Sequence, residues 1–316
     1  MSEAEGTVRV RLDLAYDGGG FHGWAAQPGL RTVQGELEAA LRRLYRELPD
    51  GPLLTVAGRT DAGVHASGQV AHLDLPAPLW ERTARRGTAG PEAGLLRRLR
   101  GVLGGDGELA ATGAAVAPPG FDARFSALWR SYEYRLADLR TAPDPLQRHR
   151  TARIAAELDL DRMNEAAGLV LGLHDFAGFC RPRPGATTVR TLQRFAWRRD
   201  EAGVLVARLR ADAFCHSMVR SLVGMCAAVG RGRLDAAEVP TLLERPGRSN
   251  AFPVLAAKGL TLTGVGYPEA GLAERQLRTR ARREPVRPTQ AAGMASEAES
   301  MRSASSRSDS EPSRSE

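Results

Sequence analysis

Residues 53–75 read LLTVAGRTDAGVHASGQVAHLDL. Residues 53–57 are apolar and read as a strand, and 69–75 alternate with the period of a half-buried strand. Between them, GRTDAGVHA (58–66) is a loop whose glycines permit an unusual backbone path. It carries a carboxylate, Asp61, beside the cation of Arg59 and the hydroxyl of Thr60. Upstream, VRVRLDLAY (8–16) puts Val8, Val10, Leu12 and Leu14 on one face and Arg9, Arg11 and Asp13 on the other, again a half-buried strand. The loop DGGGFHGW (17–24) follows, with four glycines. Thr32 is a suitable N-cap for a helix with an apolar stripe of Val33, Leu37, Leu41, Leu44 and Leu48, and PDGP (49–52) ends it. Strand, helix, strand, strand is half of a small antiparallel α+β sandwich.

Downstream, residues 76–119 hold one helical stretch near 92–102 and then become rich in glycine, alanine and proline, which predicts a domain boundary at 110–120. The outline then repeats. SYEYRLA (131–137) is a strand with Tyr132, Tyr134 and Leu136 on one face, and 159–173 a helix with Met163, Ala167, Val170 and Leu173 on its core side. Residues 190–198 and 203–211 pair as strands. Residues 213–229 form a helix with a stripe of Met218, Leu222, Met225 or Cys226, and Val229, and 260–265 supply a last strand. The expectation is an α+β protein of two RNA-recognition-like or ferredoxin-like domains, 8–115 and 120–268, with mainly antiparallel sheets meeting at a central cleft. Residues 271–316 mix Arg, Glu, Ser and Pro with almost no apolar clusters, too little to offset ordering entropy, so a disordered tail is expected.

The 316 residues are 42% hydrophobic, enough for a core, and carry a formal net charge of +7, which favours an acidic partner. Nearly every cation is arginine, with Lys258 the one lysine, and arginine suits bidentate phosphate contact. Cys180, Cys215 and Cys226 lie far apart, with no C-x-x-C spacing. That argues against a disulfide framework or structural zinc and for buried free thiols in a reducing cytoplasm. No apolar run approaches a membrane span, and the N-terminus lacks a signal-peptide pattern, so a soluble cytoplasmic protein is expected.

A lone aspartate in a glycine-rich turn is usually an Asx-turn residue, and that reading stands beside a catalytic one for Asp61. His22, His65 and His72 bracket Asp61 without metal-ligand spacing, so no metal is expected. There is no G-x-S-x-G elbow, no P-loop and no G-x-G-x-x-G after a strand.

GRTDAGVHASGQVAHL (58–73) resembles the signature loop of the tRNA pseudouridine synthase A family. YDGGGFHGW (16–24) with TVQGELEAAL (32–41), FDARFSALWRSYEY (121–134), GLHDFAGF (172–179), TTVRTL (187–192), AFCHSMVRSLVGMCAAVG (213–230) and AAKGLTLTGVGY (256–267) resemble its other blocks in order. The resemblance spans about residues 8–268. It implies an isomerase without cofactor that converts uridines 38, 39 and 40 of the tRNA anticodon stem-loop to pseudouridine, works as a homodimer and holds its site in a basic cleft. It makes Asp61 the essential carboxylate, packs Tyr132 on the target base, pairs Arg220 with Asp61 and gives Arg59 a supporting role. Arg59, Arg124, Arg130, Arg148 and Arg150 are candidates for phosphate contact, each with a plain surface-charge alternative. Two rivals remain open: a non-catalytic RNA-binding protein of this fold, and a synthase acting on another RNA site. Ala25 stands where the family usually carries Gln, and Arg100 and Gly104 replace the Asn and Pro of its Asn-x-x-Leu-Pro segment.

Overall fold

The computed structural model describes residues 6–84, 87–104, 107–181, 187–244 and 247–281. In chain order the elements are β1 (Thr7–Tyr16), α1 (Val33–Leu44), β2 (Thr55–Val56), β3 (His65–Pro76), α2 (Ala77–Glu81), α3 (Gly90–Leu103) and β4 (Leu109–Val116). They continue with β5 (Trp129–Ala137), β6 (Ala152–Arg153), α4 (Leu160–Gly168), β7 (Gly172–Asp175), β8 (Val189–Arg199), β9 (Leu205–Ala211), α5 (Met218–Gly230), α6 (Val239–Glu244), β10 (Leu260–Gly266) and α7 (Leu272–Ala281).

The strands make one ten-stranded sheet in the order β4-β1-β3-β10-β5-β9-β8-β7, with β2 beside β3 and β6 beside β5. The last long strand is the joint: β10 runs parallel to β3 through Thr261–His65 and Leu262–Ala66, and antiparallel to β5. Each half lays helices on its own stretch of sheet. The alternation of β1 buries Val10, Leu12 and Leu14 against α1 and α3. In α1 the Thr32 hydroxyl accepts from Gly35 N, and Val33, Leu37, Ala40 and Leu41 are buried. The second core packs α4 and α5 on β5, β8 and β9. Tyr132 packs against both cores and marks the seam. Burying one large aliphatic side chain contributes about 1.5–3 kcal/mol, so these two cores supply most of the stabilisation. No described helix is long and apolar enough to cross a membrane.

Several expectations change. The strand at 53–57 shrinks to β2, with Leu53 80% exposed: Thr55 and Val56 pair with β3, and Ala57 N adds one bond to Val70 O at 2.8 Å. Part of the predicted boundary segment 110–120 is regular: β4 is a strand of small residues paired along β1. The helix at 159–173 stops at Gly168, and Leu173 lies on β7, 67% exposed. The helix at 213–229 begins at Met218, because Ser217 takes φ 65. The tail does not start at 271: α7 buries Leu272, and Arg280 pairs with Asp122 at 2.9 Å. One apolar anchor and one ion pair at the two ends of a short helix fix what composition read as loose. Residues 282–316 of that tail lie outside the described residues.

Candidate active site

The loop between β2 and β3 is fixed from beneath. Thr60 Oγ1 lies 2.8 Å from the Tyr16 hydroxyl, and Gln69 Nε2 donates to that hydroxyl at 3.2 Å and to Gly58 O at 2.8 Å. Burial pushes the Tyr16 phenol up to about 12, although Thr60 and Gln69 oppose this, so it stays protonated. The opening loop fixes the same segment from the side: Trp24 N donates to Thr60 O at 3.0 Å and Gly63 N to Phe21 O at 3.3 Å. Gly23, at φ 90, lies so close that an added Cβ would stand 2.9 Å from Thr60 O. These contacts explain why the glycine-rich stretch 17–24 accompanies the loop at 58–66.

Asp61 stands at the exposed end of this support, its side chain 32% accessible. The turn is closed by main chain, Val64 N to Asp61 O at 3.2 Å. Among the described residues the Asp61 carboxylate accepts no backbone hydrogen bond, so the geometry is not that of an Asx-turn. Its one ion-pair partner among the described residues is His216, with Nε2 3.5 Å from Oδ1.

Tyr132 projects from β5 toward the same seam and meets Phe214 edge-to-face, ring centroids 5.1 Å apart. Burial pushes the Tyr132 phenol up, and the negative charge of Asp61 adds to the shift, which places phenol and carboxylate within electrostatic reach. Tyr134, two residues on along the same strand, is buried and donates to Ala256 O at 2.8 Å.

Arg220 takes a different partner from the expected one. Its Nε donates to Leu255 O at 2.7 Å and its own carbonyl accepts from Leu255 N at 3.2 Å. No Asp61–Arg220 ion pair exists among the described residues. All other residues of α5 are buried, and Arg220, half-buried, is held to Leu255 by both its side chain and its main chain. Arg59 is exposed and makes no hydrogen bond or ion pair among the described residues.

The other four phosphate candidates separate by burial. Arg130 is 8% exposed and gives its donors to Asp212 O, Ala57 O and Arg124 O at 2.9, 2.7 and 2.8 Å, an internal clamp between the two halves. The Arg124 guanidinium lies 5.2 Å from the Phe125 ring centroid. Arg148 is exposed and bonds Pro145 O at 2.9 Å, and Arg150 lies 3.7 Å from Glu133.

Two of the three cysteines are not free. Cys180 and Cys215 form a disulfide, with Cα atoms 5.8 Å apart across a sequence separation of 35, and only Cys226 is a free, buried thiol. Spacing in sequence gave no hint, because the turn ahead of α5 folds back onto the segment after β7. The bridge sits between two residues of the site, since Cys215 lies between Phe214 and His216. Ser217, next in line, is the one described non-glycine residue with positive φ. A left-handed non-glycine residue costs roughly 1–2 kcal/mol, and such strain concentrates at functional sites. Phe214 and His216 lie within the quoted block AFCHSMVRS, but nothing local to it points at Asp61 or Tyr132. No group of three or more His, Cys, Asp or Glu side chains among the described residues is arranged to hold a metal ion.

Comparisons with known proteins converge on one family. A family model described as tRNA pseudouridine synthase matches residues 166–268. A tRNA pseudouridine synthase A from Leifsonia xyli is 55% identical over 86% of this chain and 96% of its own. Relatives of the same name from Streptomyces griseus and Corynebacterium glutamicum are 53% and 51% identical, over 84% and 88% of this chain and 90% and 96% of theirs. Among solved structures, an archaeal box H/ACA Nop10–Cbf5 complex aligns at 11% identity and TM-score 0.32, over 86% of this chain and 55% of that one, too loosely to carry an argument. Identity above one half along nearly the whole of these relatives, together with an aspartate loop braced at the seam of two α+β halves, makes this chain a member of the tRNA pseudouridine synthase A family of isomerases.

Proposed function

We propose that the chain isomerises uridines 38, 39 and 40 of the tRNA anticodon stem-loop, with Asp61 as the catalytic carboxylate. The reaction breaks the N1–C1′ bond, turns the uracil, joins C5 to C1′, loses the C5 proton and places a proton on N1. Substrate and product have the same composition, so no cofactor need supply or accept a group. Asp61 acts on the sugar, as nucleophile at C1′ or as base. The observation that carries the reading is an accessible Asp61 carboxylate touched by His216, two residues along one turn from Phe214, which packs on Tyr132 at the seam between the halves. A uracil drawn from its stack needs an aromatic surface there, and Tyr132 offers one. Arg59, exposed beside the carboxylate, and Arg148, exposed farther off, suit phosphate contact. The same resemblance supports a cytoplasmic homodimer.

Asp61→Asn keeps shape and removes charge. Turnover should fall by at least roughly a thousandfold while tRNA binding survives. Turnover within about tenfold of wild type would remove Asp61 from the chemistry. Mapping pseudouridine in tRNA before and after deleting the gene decides the positions. Unchanged positions 38–40 would transfer the activity to another RNA site.

A further inference from the structure

The geometry points to His216 as the positioning residue for the Asp61 carboxylate, held there by the turn 214–217. This rests on the reading of Asp61 as the reacting carboxylate. Nε2 of His216 lies 3.5 Å from Asp61 Oδ1, with the two side chains 26% and 32% accessible. Neither carboxylate oxygen has another ion-pair or hydrogen-bond partner among the described residues. At 3.5 Å the contact is an ion pair when the ring is charged, and a neutral ring with its proton on Nε2 faces Oδ1 at the long limit of hydrogen-bond reach. Either way, it fixes the rotation of a carboxylate that is otherwise free to turn.

The turn that carries His216 is pinned at every residue. Phe214 stands edge-to-face on Tyr132. Cys215 is bridged to Cys180, and its carbonyl accepts from Met218 N at 3.1 Å. The carbonyl of His216 accepts from Arg181 N at 3.0 Å. Ser217 holds the left-handed conformation that swings the chain into α5, and its carbonyl accepts from Ser221 N at 3.0 Å. One short turn thus delivers two neighbouring side chains to the two site residues of the other elements, Phe214 to Tyr132 and His216 to Asp61. A plain connection from β9 to α5 requires neither a bridge nor a left-handed serine. Preorganising a reacting group by fixed neighbours is worth orders of magnitude in rate, and a displacement of about 1 Å can cost about a hundredfold.

The test measures kcat and KM by release of tritium from C5 of uridine in an unmodified tRNA transcript. The full-length protein carries His216→Ala, His216→Gln, His216→Phe or Asp61→Asn. His216→Ala should lower kcat about 10- to 100-fold with KM for tRNA within about twofold. His216→Gln, which restores an N–H donor, should recover most of the loss, and His216→Phe, which keeps bulk without a donor, should recover none. A kcat within about twofold of wild type in His216→Ala, or a loss confined to KM, overturns the assignment. Where His216→Ala melts many degrees lower, the Gln–Phe contrast decides: equal rates in these two overturn it, and an active Gln beside an inactive Phe upholds it. An active Asp61→Asn removes both the assignment and the reading it rests on. An inactive Asp61→Asn beside a fully active His216→Ala removes the assignment alone.

Discussion

Two strand-to-helix connections serve the same site by different means. The one from β1 to α1 braces the Asp61 loop with main chain: Trp24 N to Thr60 O, Gly63 N to Phe21 O, and Gly23 with no Cβ in the gap. The one from β9 to α5 reaches the site with side chains: a disulfide, Phe214 on Tyr132, and His216 on Asp61. The helices beyond differ in kind. In α1 one stripe is buried and the rest is half-buried or exposed, whereas in α5 every residue but Arg220 is buried. Close backbone approach requires glycine, so the first device is visible as a cluster of glycines. Convergence of side chains from distant elements leaves no local pattern, so the second is invisible in sequence.

The contrast can be tested through ion pairs first. In the second half, Asp138 is fully buried and paired with Arg199 at 2.9 Å; in the first, Arg9 and Asp74 pair at 2.7 Å with side chains 34% and 43% accessible. Arg199→Met should cost about 3 kcal/mol, because it leaves a buried carboxylate. Thr141 Oγ1 and Leu158 N continue to donate to that carboxylate, which keeps the figure at the low end. Arg9→Met should cost under about 1 kcal/mol. Burial pushes the Asp138 carboxyl up, but the hydrogen bonds from Arg199 and Thr141 and the Arg199 charge outweigh it and hold it below the ordinary carboxylate range. A carboxyl lowered in the folded state stabilises above its unfolded value and loses that stability as pH falls through the folded one. Melting temperature against pH should therefore fall below about pH 4 in the wild type and fall less steeply in Asp138→Asn. Parallel curves would mean that the pair contributes nothing.

The glycines come next. An added Cβ at Gly224 in α5 would stand 1.9 Å from Pro253 O, a backbone atom that cannot swing aside. Gly224→Ala should destabilise by about 2–3 kcal/mol, read as a lower urea midpoint. Gly23→Ala places a left-handed alanine against Thr60 O and should cost about 1–2 kcal/mol. Its larger effect should fall on rate, because Thr60 precedes Asp61. A Gly23→Ala protein with wild-type turnover would show that the opening loop does not brace the carboxylate.

The bridge comes last. Denatured, unreduced protein should show one reactive thiol, Cys226, and three after reduction. Reduction should lower stability by about 2 kcal/mol, the low end of the usual range, because the site turn keeps its other contacts. Three thiols before reduction would return Cys180 and Cys215 to the free state that their spacing first suggested.

The sequence by itself determined the α+β class, most strands and helices, and the prominence of the loop that carries Asp61. Alternation in β1, the stripe of α1 under Thr32 and the glycines flanking Asp61 are local signals, written within a few residues of where they act. The tertiary structure decided what lies across the chain. It joined the halves through β10, paired Cys180 with Cys215 and turned Arg220 to Leu255 instead of Asp61. It also withdrew Arg130 into an internal clamp, anchored α7 through Leu272 and Arg280, and brought His216 to the carboxylate. The physical reason is range. Hydrophobic periodicity and turn chemistry act over one turn or one pleat, whereas the partner of a buried arginine, a thiol or a histidine is whichever group packing brings within reach.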